Sequence, residues 1–175
     1  MFARNIIKDS ILLKTKVLEV SSIIDLIDDI AAVIVNCYSK GGKVLFCGNG
    51  GSASDAQHLA AELSGRFAFD RPPLFAEALH VNTSYITAVS NDYSFDIVYA
   101  RLLAAMGKEG DVLVGFSTSG NSINIINALE VANKKGIITI GFTGMTGGKM
   151  VDYCKYLLKV PSENTARIQE VHIMI

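Results

Sequence analysis

A doubly wound, five-stranded parallel sheet flanked by helices is the α/β fold class this sequence predicts, and three observations predict it. Five short apolar runs read as strands, helical periodicity separates them, and two of the passages from strand to helix are built from small residues. The 175 residues, half of them hydrophobic, suffice for a single domain with a proper core. Residues 1–40 are expected to supply N-terminal helices and 41–175 the αβα sandwich.

Apolar positions recur at helical spacing from about Ile6 to Ser39, with a break near Ser21 and Ser22, so two helices precede any strand. Met1, Phe2, Ile11, Leu12 and Leu18 form a stripe with no strand of its own to cover, which suits packing against another subunit. Gly41 and Gly42 end the second helix, and Lys43–Cys47 is a continuous apolar run, the pattern of a doubly buried strand. The helix Ser54–Leu63 follows and ends near Gly65. After the Arg71-Pro72-Pro73 turn, Leu74–Leu79 reads as a strand and Thr83–Ser90 as a short helix; Asn91 and Asp92 are a polar break before the helix Phe95–Met106. Asp111–Phe116, Ile137–Phe142 and Tyr156–Val160 complete the strands, with the helix Ile123–Lys135 between the first two of these. A last helix opens at Ala166 and reaches Ile175 without a glycine, a basic residue or a polar tail, so we read it as cut short.

Sixteen basic against seventeen acidic residues give a net charge of −1, which excludes a global field for nucleic acid or an anionic membrane. The N-terminus lacks the apolar run and cleavage site of a signal peptide, and Asp25, Asp28 and Asp29 interrupt the next apolar stretch. The expectation is a cytoplasmic protein with no nucleic-acid or membrane partner. Cys37, Cys47 and Cys154 are odd in number and lack CxxC spacing, so they are expected to be reduced and buried.

The first small-residue turn, Gly48-Asn49-Gly50-Gly51-Ser52, lets backbone N–H groups approach a ligand where a helix N-terminus adds partial positive charge. The second, Ser117-Thr118-Ser119-Gly120-Asn121-Ser122, offers hydroxyls and N–H groups suited to a phosphate; its structural alternative is a helix N-cap rich in serine. In a doubly wound sheet both turns lie at the carboxyl edge, so one phosphorylated ligand can share them. Neither GxGxxG nor GxxxxGK[ST] occurs, which argues against a nucleotide cofactor and for a monophosphate. His58 and Glu62 stand four residues apart on one helix face, one or two turns beyond the anion turn, and suit proton transfer or metal binding. Their structural alternative is a satisfied histidine beside a solvated glutamate. A carboxylate near a bound sugar phosphate is what an aldose–ketose isomerase needs, because a base must carry a proton between C1 and C2 through an enediol. His80, near a strand end, is expected to be structural, and His172, one turn beyond Gln169, to be either structural or a support behind the site residues.

Taken together, CGNGGSASDAQHLAAELSGRF, Ser90–Asp92, Gly115–Ser122, Thr143–Met150 and Ala166–Ile173 resemble the sugar isomerase (SIS) domain family over the whole chain, in particular its branch acting on heptose phosphates. The resemblance implies the flavodoxin-like SIS fold and conversion of sedoheptulose 7-phosphate to D-glycero-D-manno-heptose 7-phosphate, toward the heptose of bacterial lipopolysaccharide or capsule. It implies a cytoplasmic homotetramer with sites between subunits. By motif, Ser117, Thr118, Ser119 and Ser122 would hold the phosphate; Asn49, Gly50, Gly51, Asn91, Asp92 and Gln169 would line the sugar; and Glu62 would shuttle the proton. His58, Glu62 and Gln169 match three ligands of the zinc that members of this family bind, one per subunit, while the fourth, a histidine, would fall two positions past Ile175. The position before Arg167, acidic in some relatives, is Ala166. A non-enzymatic relative, the SIS-type tetramer that binds the replication initiator, shares the framework but carries a small non-acidic residue in place of Glu62.

Overall fold

The computed structural model describes residues 2–175; Met1, placed above in the N-terminal stripe, lies outside them. Strands β1 (Val44–Cys47), β2 (Ala76–Ala78), β3 (Val112–Phe116), β4 (Ile138–Thr143) and β5 (Tyr156–Lys159) form a parallel sheet in the order β2-β1-β3-β4-β5. The helices are α1 (Phe2–Glu19), α2 (Ser21–Ser39), α3 (Gly51–Ser64), α4 (Thr83–Asp92), α5 (Val98–Met106), α6 (Ile123–Lys134) and α7 (Thr165–Met174). The chain steps outward from β1 to β2, then returns past β1 to β3. The strand order therefore reverses between β1 and β3, whose register runs from Val44 opposite Val112 to Cys47 opposite Gly115.

Because side chains alternate across a strand, each apolar run feeds two cores. Val44, Phe46, Val112, Val114, Phe116, Ile140 and Phe142 pack with α2, α3 and α7, while Leu45, Cys47 and Leu113 pack with α4, α5 and α6. The expected five-stranded, doubly wound sheet is therefore present, with several boundaries moved. The helix break falls at Val20, and α3 starts at Gly51, three residues before Ser54, since the small residues of the turn fit the first helical positions. Asn91 and Asp92 are not a break: they form the last turn of α4, and the chain leaves helical geometry at Tyr93 and Ser94. Ser94 then caps a 3-10 turn, Phe95–Ile97, that leads into α5.

Three contacts bind the frame. At the amino edge of the sheet, Lys43 Nζ lies 2.6 Å from Asp111 Oδ2, and the same carboxylate accepts from the backbone N–H groups of Lys43 (3.1 Å) and Lys108 (2.7 Å). Ser10 Oγ donates to Glu170 (2.7 Å) and Arg167 to the carbonyl of Ile6 (2.9 Å), joining α1 to α7. Apart from these ties α1 buries only Val17, and Phe2, Ile7, Ile11, Leu12 and Leu18 face solvent in the single chain. His172, buried against Phe116 and Phe142, has Nε2 3.3 Å from the carbonyl of Thr143. Cys37 and Cys47 are buried as expected, whereas Cys154 is only partly so, and all three thiols are free. Among the described residues no helix is long and apolar enough to cross a membrane.

Asp111→Ala strands a buried ammonium, and the expected loss of stability is about 3–5 kcal/mol, measured by urea unfolding. Burial pulls the His172 imidazole down to about 4, against the opposing pull of the Thr143 carbonyl. A depressed folded value means that this contribution is fully present above pH ~6.5 and is lost as pH falls toward ~4. The native protein should lose about 3 kcal/mol across that window from this group, and the unfolding curves of His172→Leu should show a flatter pH dependence.

Candidate active site

The reversal of strand order brings the two small-residue turns together at the carboxyl edge of the sheet, one after β1 and one after β3. Of the helices that follow strands, α4 and α7 are capped by side chains: Asn82 accepts from the Tyr85 N–H, and Asn164 from those of Ala166 and Arg167. The helices that leave the two turns, α3 and α6, have no side-chain cap. Several of their first N–H groups turn back on the turns themselves, Ser52 and Ala53 onto the carbonyls of Asn49 and Gly50 and Ile125 onto that of Ser122, while both N-termini keep the partial positive charge that suits an anion.

The N-cap alternative for the serine turn is thereby set aside. Ser122, which occupies the cap position of α6, turns its Oγ to Ser117 Oγ at 2.9 Å, and Ser117 Oγ lies 3.5 Å from Ser119 Oγ. The three hydroxyls thus converge, with Thr118 half-exposed beside them. Gly120 gives the turn its shape: its φ is +67°, and a Cβ there would run into the Gly147 backbone. The loop after β4 holds the turn from outside, where the N–H groups of Gly144, Lys149 and Met150 donate to the carbonyl of Thr118 (3.0 Å), Asn121 Oδ1 (3.0 Å) and the carbonyl of Gly120 (3.1 Å).

In the first turn Gly50 has φ +57°, and a Cβ on Gly48 would strike the Ser52 backbone. Asn49 is half-buried and exchanges two hydrogen bonds with Asn124 of α6, both 2.9 Å; Tyr99 of α5 donates to the Gly48 carbonyl at 2.6 Å. The side chain of Gln169 comes from α7 onto the same turn, close enough that a Cβ on Gly51 would lie 2.8 Å from its Nε2. Asn49, Gly50, Gly51 and Gln169 thus meet at one turn.

His58 Nε2 lies 3.3 Å from Glu62 Oε1, with the two side chains 58% and 35% exposed, so the pair forms and stays open to solvent. It stands farther from the anion turn than expected. Because α3 begins at Gly51, His58 and Glu62 lie about 10 Å and 16 Å along its axis from that residue, two and three turns away. Positions 51, 58 and 62 share one face of α3, which borders an apolar cavity lined by Ile27, Leu59, Phe67, Phe116 and His172. Arg71 fixes this end of the helix by donating to the carbonyls of Glu62 and Leu63, both at 2.9 Å.

Asn91 and Asp92 are bonded to one another (2.9 Å) and exposed; no hydrogen bond ties them to either turn. His80, beyond the end of β2, is held below the ordinary histidine range by burial, and its Nδ1 has no partner among the described residues. For a metal, His58 and Glu62 supply one nitrogen and one oxygen donor of the kind zinc takes, and Gln169 offers a carboxamide oxygen toward the start of the same helix face. Among the described residues no three His, Cys, Asp or Glu side chains form a metal-holding group. Arg71, Tyr99 and Asn124 were not singled out in the sequence: Arg71 reads as part of a Pro-rich turn, and the other two sit inside amphipathic helices.

Residues 10–144 match the family profile described as SIS domain. The chain is 49% identical to the phosphoheptose isomerase of Aneurinibacillus thermoaerophilus over 174 residues, covering 99% of this chain and 88% of that protein. It is 52% identical to the phosphoheptose isomerase of Clostridium acetobutylicum over 169 residues, covering 97% and 86%. The solved structure of phosphoheptose isomerase from Neisseria gonorrhoeae superposes with a TM-score of 0.92 at 42% identity, covering 98% of this chain and 91% of that one.

Gly120→Ala should displace the serine turn, since a left-handed φ and a backbone neighbour both oppose the new Cβ. The expected result is a loss of inorganic-phosphate affinity of at least tenfold by calorimetric titration, with the far-ultraviolet circular dichroism of the native fold retained.

Proposed function

The chain belongs to the SIS domain family, and we propose that it is an aldose–ketose isomerase that interconverts sedoheptulose 7-phosphate and D-glycero-D-manno-heptose 7-phosphate. The observation that carries the reading is Glu62: a carboxylate paired with His58 at 3.3 Å on the helix that leaves an uncapped anion turn. The non-enzymatic initiator-binding alternative has no use for a carboxylate there.

In this reading the hydroxyls of Ser117, Thr118, Ser119 and Ser122 and the N-terminus of α6 hold the phosphate, leaving C1 and C2 free for chemistry. Glu62 removes a proton from C1 of the ketose. The electron pair forms the C1–C2 double bond of the enediol while the carbonyl oxygen on C2 takes up a proton. Return of the proton from Glu62 to C2, with loss of the O1 proton, leaves the aldehyde at C1, so the formula is unchanged and no redox cofactor is consumed. His58 orients the carboxylate by its 3.3 Å contact. Asn49 and Gln169 bind the sugar at the first turn, and Asn91 and Asp92 join them only if the end of α4 moves inward.

His58, Glu62 and Gln169 would hold a zinc ion, one per subunit. Bound there, the ion would polarise the carbonyl and share the enediolate charge. The uncovered face of α1 supports packing against another copy, which this reading takes as a homotetramer with sites completed between subunits. The proposed setting is the bacterial cytoplasm, where the product would feed heptose synthesis for lipopolysaccharide or capsule.

Turnover of sedoheptulose 7-phosphate by the native protein and by Glu62→Gln, each assayed after chelation and after zinc is restored, tests this reading. The variant is expected to lose activity by about 10²–10⁴-fold under both conditions. A zinc-loaded native protein that binds the sugar phosphate without turning it over would overturn the isomerase reading.

A further inference from the structure

The two turns are joined by a buried polar bracket whose chemistry limits what the first turn can offer a ligand. Asn124 is 3% exposed and Tyr99 is 2% exposed, and they reach Asn49 from α6 and α5. The backbone N–H of Ile125 is shared between the Ser122 carbonyl (3.1 Å) and Asn124 Oδ1 (3.0 Å), and an amide N–H in that second place would face a donor, which makes that end of the Asn124 amide its oxygen. The reciprocal pair then fixes Asn49: its Nδ2 must donate to Asn124 Oδ1 and its Oδ1 must accept from Asn124 Nδ2. The Tyr99 hydroxyl, 3.4 Å from Asn49 Oδ1, crowds the same oxygen from the other side. One lone pair of the Asn49 carbonyl is taken by Asn124 and its other side is covered by Tyr99, whose proton goes to the Gly48 carbonyl, so what remains open on the half-exposed side chain is one amide N–H.

We propose that Asn124 is a positioning residue that makes Asn49 a donor-only contact, so that the first turn selects an electron-rich oxygen of the sugar in register with the phosphate on the second turn. This deepens the isomerase reading and rests on it for the identity of the sugar. The oxygen so recognised is a carbonyl or hydroxyl oxygen acting as acceptor, and the bracket sets its distance from the phosphate because Asn124 lies two residues after Ser122. A ligand that placed only a donor at that point would leave the amide N–H facing another donor, and it would be rejected.

The test compares calorimetric affinities for sedoheptulose 7-phosphate and for inorganic phosphate in the native protein and in Asn124→Ala, Asn124→Asp and Tyr99→Phe, beside Asn49→Ala and Asn49→Asp. Asn124→Ala is expected to lose roughly tenfold in sugar-phosphate affinity while phosphate affinity changes little and the far-ultraviolet circular dichroism is retained, and Tyr99→Phe to lose less; the buried carboxylate of Asn124→Asp repels the phosphate of both ligands and is expected to weaken both. Asn49→Asp, which can only accept, is expected to bind the sugar phosphate more weakly than Asn49→Ala. A parallel loss of both ligands in Asn124→Ala, or sugar-phosphate affinity unchanged in that variant, would overturn the positioning role; Asn49→Asp binding as the native protein does would overturn the donor assignment. If Asn124→Ala does not fold, Tyr99→Phe carries the comparison, with a smaller loss confined to the sugar phosphate. Native turnover is recorded in the same series: its absence removes the isomerase reading, while the affinity split still decides the role of Asn124.

Discussion

Parallel strands cannot be joined by hairpins, so the chain must cross a face of the sheet between each pair, and where it changes direction two loops are left side by side. Here that reversal lies between β1 and β3. The register of Val44 with Val112 through Cys47 with Gly115 brings Gly48 and Ser117 out at neighbouring points of one edge. The opposite edge is clamped by the Lys43–Asp111 pair, which fixes β1 against β3 where the strands begin. The anion turns therefore inherit their spacing from strands that are completely buried, and the helices leaving them point two uncapped N-termini at a common volume.

Much of this was legible in the sequence, and the reasons differ from residue to residue. The doubly buried strands declare themselves because a run such as Val44–Cys47 has no polar position to give to solvent. The serine turn is visible because hydroxyls and a glycine crowd into six residues, although the structure was needed to show that Ser122 spends its hydroxyl on Ser117 and not on a helix cap. Asn91 and Asp92 misled because both residue types favour turns, yet the hydrogen bonds of α4 carry them into the helix. Asn124 and Tyr99 could not have been found from local pattern at all. Their role is set by partners 75 and 50 residues away along the chain, and only the packing of α5 and α6 brings them to Asn49.

The site divides its labour along α3. Its N-terminus belongs to the sheet edge and, in the proposed function, to anion binding, whereas its far end carries the titratable pair, held by Arg71 through the carbonyls of Glu62 and Leu63. That end is half-open and bordered by an apolar cavity. Such an arrangement suits a reaction in which the phosphate is a handle and the base works at the other end of an extended sugar.

The central claim is that a single sugar phosphate engages the serine turn at one end and a Glu62 carboxylate at the other. The most direct measurement is a crystal structure of Glu62→Gln with sedoheptulose 7-phosphate bound. The account predicts the phosphate among the hydroxyls of Ser117, Ser119 and Ser122, the first turn against the sugar, and C1 and C2 within hydrogen-bonding reach of residue 62 of the same or a second copy. A phosphate bound away from that turn, or C1 and C2 out of reach of residue 62 in every copy, would contradict it.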